Sequence, residues 1–302
     1  MLWPNELRSF LSTVIPTSLV GVGDNVLDCY LEEDLAYPGG NALNVAVYAR
    51  LFFGSRAGYI GVFGDDRFAA HLRGTLDQIG VDATRSRVAA GPNGMAFVSL
   101  GLDGDRRFVG SNRGGVQSIL RVRIAPDDRD YLAGFASVHT SVYSSLDAEL
   151  GTIAESCQVS YDFSTERSEA VIAAVAPHLA AAFFSGDGLG DADIDTLGAF
   201  AVARGAARAV VTRGSRGAVA YESGTRRTVG IRATQTIDTL GAGDAFIAGF
   251  LSAMNAGADL DQCLDVASAA GALACTYRGA FGYPVEAGPE ARAQLIRRYE
   301  TP

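Results

Sequence analysis

The sequence has few of the residues that build metal centres or disulfide frameworks. Its cysteines are Cys29, Cys157, Cys263 and Cys275, and its histidines are His71, His139 and His178. Neither set has the close spacing that zinc sites and secreted disulfide scaffolds use. We therefore expect a reduced, cytoplasmic protein without a zinc site. His139, at a predicted strand end, is expected to be a hydrogen-bonded structural residue, with a binding role as the alternative.

Long apolar runs are also missing. No run approaches the roughly 18 apolar residues of a membrane helix, and residues 1–18 lack the basic stretch and apolar core of a secretory signal. The net charge of −9 and the pI near 4.9 oppose non-specific binding to nucleic acid. Hydrophobic residues make up 48% of the chain and charged residues 20%. This composition predicts a soluble globular protein that binds neither nucleic acid nor a membrane.

Short β-branched segments alternate along the chain with longer, alanine-rich segments of helical periodicity. Strands that alternate with helices form a mostly parallel sheet with helices on both faces. The predicted fold is therefore a three-layer α/β/α domain over residues 19–302. Residues 1–18 are an N-terminal extension, either an amphipathic helix packed on the first strand or a poorly ordered segment.

Two segments interrupt this alternation. Residues 92–112 contain two extended runs joined by an Asp-Gly turn, which is a hairpin signal. Residues 28–37 form another extended segment before a glycine pair. Together they are predicted to form a small β-sheet lid over the edge of the main sheet. An edge hairpin of this kind can pair with its twin, so the pattern also predicts a homodimer through the lid.

The stretch 238–244, Asp-Thr-Leu-Gly-Ala-Gly-Asp, is the most informative part of the chain. Gly241 and Gly243 allow the backbone to approach a ligand closely. With Ala242, they would present amide groups at a helix N-terminus, which binds anions. Asp244 beside such a site can accept a hydroxyl proton while the amides hold a phosphoryl group. A plain glycine-rich helix cap is the alternative explanation of the motif alone.

Three other clusters fall where predicted strands end, at the ligand edge of a parallel sheet. Polar side chains suited to sugar hydroxyls follow the first strand, at Asp24, Asn25 and Asp28. A glycine turn and two amides open the next helix, at Gly39, Gly40, Asn41 and Asn44. A turn suited to a nucleotide phosphate contains Thr212, Gly214 and Gly217, and Arg113 near the lid is suited to an anionic substrate group. Each cluster alone also fits an ordinary cap, turn or solvated side chain.

The order and spacing of 39–44, 212–217 and 238–244 resemble the ribokinase-like (PfkB) carbohydrate kinases, over residues 19–285. The resemblance implies a central sheet, a β lid over the sugar site, and ATP-dependent phosphorylation of a sugar hydroxyl. It implies Asp244 as the catalytic base and residues 241–243 as the anion hole. It also implies sugar contacts from Asp28, the 39–41 turn and Asn44, and nucleotide contacts from the 212–217 loop.

Within this family, residues 23–25, 39–48 and 62–66 are most similar to fructoselysine 6-kinase-like members. The implied acceptor is the C6 hydroxyl of a fructosamine, which is a fructose with an amine at C1. The acidic lid run 32–34 would suit that cationic amine. The alternatives are a kinase for fructose, ribose, a nucleoside or a keto-deoxy sugar acid, and a sensor that binds sugar or nucleotide without turnover.

The chain departs from the family where magnesium is organised. Family members carry Asn-x-x-Glu near the triphosphate, whereas residues 184–189 contain no such pair. Asp187 is the expected substitute, with Asp191 and Asp162 as alternatives, because Mg²⁺ needs few direct protein oxygens. The resemblance also implies a monovalent cation, K⁺, near Asp238.

Overall fold

The computed structural model describes residues 4–100 and 106–297. Its strands are β1 (Ser18–Gly23), β2 (Val26–Tyr30), β3 (Leu35–Gly39), β4 (Arg56–Phe63), β5 (Val81–Asp82), β6 (Arg87–Val88), β7 (Met95–Leu100), β8 (Arg106–Ser111), β9 (Ser137–Ser141), β10 (Gln158–Asp162), β11 (Ala181–Ser185), β12 (Ala209–Thr212), β13 (Ala218–Glu222), β14 (Thr225–Val229), β15 (Val285–Glu286) and β16 (Ile296–Arg297). Its α-helices are α1 (Pro4–Leu11), α2 (Asn41–Phe53), α3 (Arg67–Ile79), α4 (Pro126–Leu132), α5 (Leu150–Ala154), α6 (Glu169–Val175), α7 (Asp191–Ala203), α8 (Ala242–Asn255), α9 (Leu260–Ala274) and α10 (Gly288–Arg292).

The main sheet is mostly parallel. Its strands lie in the order β14-β13-β12-β11-β10-β9-β1-β4-β5, with β6 also paired to β4. Strands β12, β11, β10, β9, β1 and β4 are parallel neighbours, and the β13-β14 hairpin at one edge runs antiparallel. Val20, Val138 and Val210 on central strands are fully buried, as expected when helices cover both faces of a sheet. The predicted α/β fold is confirmed.

A separate hydrophobic core lies on each face of this sheet. Residues of α1, α2, α3, α8 and α9 fill one core, and residues of α4, α5, α6 and α7 fill the other. Sequence signals at the helix ends account for the lengths of several helices. Asp66 caps α3 by accepting the Ala69 N–H at 2.8 Å, and Gly80 ends this helix with a φ of 84°.

The second sheet has the strand order β15-β3-β2-β7-β8-β16. Strands β2 and β3 are antiparallel, as are β7 and β8, and β2 joins the two hairpins by pairing in parallel with β7. The predicted Asp-Gly turn at 103–104 lies outside the described residues. The edges of the two hairpins are not open, because β15 pairs with β3 and β16 with β8. We call this second sheet the lid.

The N-terminal segment contains a helix. Leu7 and Leu11 of α1 are fully buried, and α1 packs on α9 instead of on the first strand. The Arg8 guanidinium donates a hydrogen bond to the Tyr277 hydroxyl just beyond α9. No helix among residues 4–100 and 106–297 is long and apolar enough to span a bilayer.

Candidate active site

The carboxyl ends of the central strands bring most of the predicted site residues to one edge of the main sheet. Asp24 directly follows β1, Asp162 ends β10 and Thr212 ends β12. Helices α2 and α8 begin at the same edge and carry Asn41 and Asp244 in their first turns. This is the edge at which parallel α/β proteins bind ligands.

The 241–243 turn forms the N-terminus of α8. Gly241 has a φ of 74°, and a Cβ there would lie 2.9 Å from the Ala280 Cβ and would also meet the Tyr48 hydroxyl. The position therefore needs glycine for both conformation and space. The Ala242 N–H donates to the Thr239 carbonyl at 3.2 Å, so this one of the three predicted amides has an internal partner. Within the described chain, the amides of Gly241 and Gly243 have no acceptor and remain available to an anion.

Asp244 is held by two asparagine side chains of α2. Asn41 Nδ2 donates to Asp244 Oδ1 at 2.8 Å, and Asn44 Nδ2 donates to Asp244 Oδ2 at 2.6 Å. Removal from water, partly offset by the Asn44 hydrogen bond, raises the pKa of Asp244 to about 8. The carboxylate is therefore both oriented and basic enough to take a proton near neutral pH.

Asn44 has an unused acceptor beside this carboxylate. Its side chain is only 3% exposed, and its Oδ1 has no hydrogen-bond partner within the described residues. A buried amide oxygen without a donor is unfavourable unless a ligand supplies one. A substrate hydroxyl is a donor of the required kind.

Asp162 is a second carboxylate on the same amide. Asn41 Nδ2 donates to Asp162 Oδ2 at 2.8 Å, so one nitrogen bridges Asp162 and Asp244. The Ser164 N–H donates to the other oxygen, Oδ1, at 2.8 Å. Loss of water contact raises the pKa of Asp162 to about 6. From the sequence, Asp162 is expected only as an alternative magnesium ligand. Its position at the end of a strand is the feature that indicates a place beside Asp244.

His139 orients the bridging amide. Both Nδ2 hydrogens of Asn41 are donated to carboxylates. Its Oδ1 accepts a hydrogen bond from His139 Nε2, which lies 3.0 Å away. His139 is therefore protonated on Nε2, and its Nδ1 accepts from the Ser160 hydroxyl at 2.9 Å. Burial lowers the pKa of His139 to about 3, which keeps the ring neutral. The hydrogen-bonded, buried histidine expected from the sequence is found, and it supports the site.

Asp24 and Asn25 mainly hold the local structure. Asp24 accepts the N–H groups of Asn41 and Ala42 at 2.7 and 3.3 Å, so it caps α2 from outside the helix. Asn25 is fully buried, and its amide donates to the Tyr59 hydroxyl at 2.9 Å and to a backbone carbonyl. Asp24 stays partly exposed and Asn25 Oδ1 has no hydrogen-bond partner among the described residues, so sugar contacts from this pair stay a prediction.

The glycine pair passes close to neighbouring backbone. Gly40 has a φ of 115°, and a Cβ there would lie 2.6 Å from Asn25 Cα. A Cβ on Gly39 would overlap the carboxylate of Asp28, which is 8% exposed on lid strand β2. The turn thus places the Asp28 carboxylate and the start of α2 side by side, under the lid.

The 212–217 turn lies at the same edge of the sheet, directly after β12. The Thr212 hydroxyl donates to the Phe184 carbonyl at 3.3 Å. Gly214 and Gly217 have φ values of 56° and 81°, and a Cβ on Gly217 would overlap the Val229 carbonyl oxygen. The close approach that requires glycine at 217 is therefore to strand β14. Gly214 has no atom within 4 Å of a Cβ position and faces open space.

The predicted cation ligands differ in their surroundings. The Asp238 carboxylate accepts from the Tyr30 hydroxyl at 2.6 Å, from Leu240 N–H at 3.0 Å and from Gly279 N–H at 3.1 Å. The Arg278 guanidinium lies 4.0 Å away. A carboxylate surrounded by four donors does not fit a cation, because a cation would have to displace or oppose them.

The remaining candidates are exposed or paired. Asp187 is exposed in the loop after β11, and Arg113 is exposed beyond β8. Asp191 pairs with Arg216 at 2.8 Å. Across the described ranges, 4–100 and 106–297, no three His, Cys, Asp or Glu side chains are grouped as a metal site.

Comparisons with known proteins agree with this geometry. Residues 25–286 match the family described as pfkB family carbohydrate kinase. Fructosamine kinase FrlD of Bacillus subtilis (strain 168) is 43% identical over 265 residues, which cover 88% of this chain and 93% of that protein. Fructoselysine 6-kinase of Escherichia coli (strain K12) is 32% identical over 265 residues, which cover 87% of this chain and 99% of that protein.

Solved structures share the fold. A putative ribokinase from Agrobacterium tumefaciens matches with a TM-score of 0.75 and 22% identity, over 92% of this chain and 97% of that one. The aminoimidazole riboside kinase from Salmonella enterica, complexed with aminoimidazole riboside and an ATP analog, matches with a TM-score of 0.69. The match covers 88% of this chain and 96% of that one. The resemblance read from the sequence is confirmed. The chain belongs to the PfkB family of carbohydrate kinases and is an ATP-using phosphotransferase whose acceptor is an alcohol group.

Proposed function

We propose that this kinase transfers the γ-phosphoryl group of ATP to the C6 hydroxyl of a fructosamine such as fructoselysine. The observation that carries the chemistry is the placement of Asp244. It is held by Asn41 and Asn44 at the start of α8, directly after backbone amides that have no internal acceptor. The choice of acceptor is supported by the 43% and 32% identity to a fructosamine kinase and a fructoselysine 6-kinase.

The proton passes to Asp244. In the proposed step, the acceptor O–H bond breaks and its proton moves to an Asp244 oxygen. The freed electron pair forms the bond to the γ-phosphorus as the bond to the ADP oxygen breaks. The pKa of about 8 favours this transfer, because a general base works best when its pKa lies near the operating pH.

The start of α8 stabilises the phosphoryl charge. The Gly241 and Gly243 amides and the helix dipole are fixed before the reaction, so they need no rearrangement as charge develops on the phosphoryl oxygens. Asn44 Oδ1, buried and without a donor, is proposed to accept a hydroxyl of the sugar. Asp28, beside Gly39 under the lid, is proposed as a second sugar contact.

Magnesium is proposed to bind mainly through the ATP phosphates and water, as is usual for this ion. Asp187 is a single exposed carboxylate and Asp191 is paired with Arg216. No step is assigned to a metal ligand of the chain. Asp238 is not proposed as a K⁺ ligand, since protein donors surround its carboxylate.

The lid is proposed to shield the phosphoryl group from water, which would compete as acceptor. Homodimerisation through the lid stays a prediction. In this structure a lid-to-lid pairing would have to accommodate β15 and β16, which lie at the sheet's two edges. The nucleotide contacts of Thr212 and Gly214 are likewise proposed from their position at the end of β12.

The test measures the release of ADP from ATP in the presence of magnesium, with and without each acceptor. The panel contains fructoselysine, fructose, ribose, adenosine and 2-keto-3-deoxygluconate, with Asp244→Asn as the catalytic control. Turnover that is fastest with fructoselysine and absent from the variant supports the proposal. If turnover is fastest with a neutral sugar, that sugar is the acceptor and the fructosamine proposal is wrong. Tight sugar binding without any turnover identifies a sensor.

A further inference from the structure

The acceptor side of the site contains two carboxyl groups that no positively charged side chain of the described residues neutralises. Asp162 and Asp244 share one Asn41 nitrogen, and within the described chain neither carboxylate has an Arg or His within ion-pair distance. Asp24 raises the pKa of both through its own negative charge. The sequence contains no lysine, so all 25 basic side chains are arginines. A cation that balances this charge is thus expected to arrive with the substrate.

The unused groups at this site suggest where that ligand lies. Asn44 Oδ1, 97% buried beside Asp244, has no donor among the described residues. The Asn44 and Asn41 amides connect this acceptor to the Asp244 and Asp162 carboxylates, so several acceptor oxygens lie close together. A polyol that also carries an ammonium group supplies both hydroxyl donors and a positive charge to such a surface.

An aromatic ring lies at the outer end of this network. Tyr143 is 61% exposed, and its hydroxyl lies 2.8 Å from the Ser164 hydroxyl. Ser164 in turn donates its backbone N–H to Asp162 at 2.8 Å. Desolvation raises the pKa of the Tyr143 hydroxyl, the Ser164 hydrogen bond lowers it, and the negative charge of Asp162 raises it further. An exposed aromatic face next to a carboxylate is the usual surface for binding an alkylammonium ion.

The acidic run of the lid is used differently. Asp34 pairs with Arg292 at 3.0 Å, and Glu33 forms an ion pair with Arg278. Glu32 accepts from the Ser99 hydroxyl at 2.6 Å. Two of the three acids are therefore balanced by arginines of the same chain, so the expectation that this run binds the substrate amine loses its electrostatic basis.

We propose that Asp162, with the Tyr143 ring, recognises the cationic amine at C1 of the acceptor and so selects a fructosamine over a neutral ketose. The inference rests on the proposed function. Asp244 and Asp162 each accept one hydrogen of the Asn41 amide nitrogen at 2.8 Å, and we propose that the base and the amine-binding carboxylate contact different groups of the same sugar. The same arrangement explains why the two carboxylates are both kept close to the acceptor despite their repulsion.

The experiment measures kcat/KM for fructoselysine, for fructose and for 1-acetamido-1-deoxyfructose, whose amide nitrogen is neutral. Asp162→Asn is expected to lower kcat/KM for fructoselysine roughly 10- to 100-fold more than for the two neutral sugars, because a desolvated charge pair is lost. Tyr143→Leu is expected to lower the same ratio about 2- to 30-fold, the range of a cation–π contact. Tyr143 is exposed, so this variant tests the idea even if Asp162→Asn folds poorly.

Asp34→Asn is the matched control, because it also removes one carboxylate and asparagine tolerates the φ of 55° at this position. It is expected to leave the ratio unchanged. If both site variants change all three acceptors equally, the amine-recognition role is wrong while the kinase assignment stands. If the wild-type protein phosphorylates fructose but no fructosamine, the proposed acceptor itself is wrong, and the inference falls with it.

Discussion

Tyr30 and Asp238, 208 residues apart in the chain, are joined by a hydrogen bond of 2.6 Å from the tyrosine hydroxyl to the carboxylate. Tyr30 ends lid strand β2, and Asp238 opens the turn that leads to the α8 N-terminus. The Arg278 guanidinium lies over the Tyr30 ring at 4.9 Å and pairs with Glu33 of the lid. The lid is therefore attached directly to the segment that forms the proposed phosphoryl site.

Tyr30→Phe removes only this hydroxyl. We expect the free energy of unfolding to fall by about 1–3 kcal/mol, because the buried Asp238 carboxylate loses a donor. The KM for sugar is expected to rise more than kcat falls, since the lid loses its attachment. Tyr37→Phe, whose ring packs edge-on against Tyr30 at 5.2 Å, is the control. Equal behaviour of the two variants in denaturant titrations and kinetics would contradict the coupling.

Asp244→Asn is expected to lower kcat about 10²- to 10⁴-fold, the usual contribution of a positioned general base. Binding of ATP, measured by calorimetry, is expected to change little. In the wild-type protein, kcat/KM is expected to rise with pH and to level off above the pKa of about 8. A rate that is flat between about pH 6 and 9 would remove Asp244 from the role of base.

The same residue makes stability depend on pH. The folded-state pKa of Asp244 is raised from 3.8 to about 8, so ionisation costs folding free energy as pH rises between these values. Asp244→Asn removes that cost. We expect the Tm of the variant to exceed the wild-type Tm by more at about pH 9 than at about pH 4. A constant difference in thermal melts at both pH values would contradict the raised pKa.

His139→Leu tests the orientation of Asn41. Without the Nε2–H donor, the Asn41 amide is no longer held with both hydrogens toward the carboxylates. We expect kcat/KM to fall about 10- to 100-fold and the rise in the pH–rate profile to move to higher pH. His139→Gln keeps an N–H donor and is expected to recover part of the activity. His178→Leu, distant from the site, controls for loss of a histidine, and an unmoved pH profile in His139→Leu would indicate a purely structural role.

Gly241→Ala and Gly243→Ala separate folding from function. A Cβ on Gly241 meets Ala280 and Tyr48 at a positive φ, so we expect a loss of about 2–4 kcal/mol in unfolding free energy. A Cβ on Gly243 meets nothing within 4 Å, so its stability should be unchanged. We expect Gly243→Ala to impair turnover nonetheless, because the phosphoryl group approaches this amide. Full activity of Gly243→Ala would place the anion elsewhere.

Local periodicity predicted the main sheet well. The alternation of β-branched and alanine-rich segments correctly indicated a mostly parallel sheet with helices between its strands. The antiparallel pairing of β12 with β13 was not predicted, because the turn after Thr212 was assigned to the nucleotide and not to a strand reversal. The parallel pairing of β2 with β7 was also not predicted, since nothing local encodes which distant strand a hairpin meets.

The position of the candidate site was predictable where backbone geometry demands a residue type, as at Gly241, which has a φ of 74°. It was not predictable where function depends on hydrogen bonds between distant residues. Asn41, His139 and Asp162 lie in three separate segments and form one network only after β9, β10 and α2 assemble. Asn25 also has a distant partner, because its amide nitrogen donates to the Tyr59 hydroxyl inside the protein.

The edges of the lid have a consequence for the order of synthesis. β15 and β16 are the last strands of the described chain, yet they pair with β3 and β8, which are made much earlier. A ribosome-bound chain that lacks them carries the proposed phosphoryl site but leaves both hairpin edges of the lid unpaired. The lid is therefore completed only after the main sheet has been made, and chaperone contacts during translation are expected to concentrate on those edges.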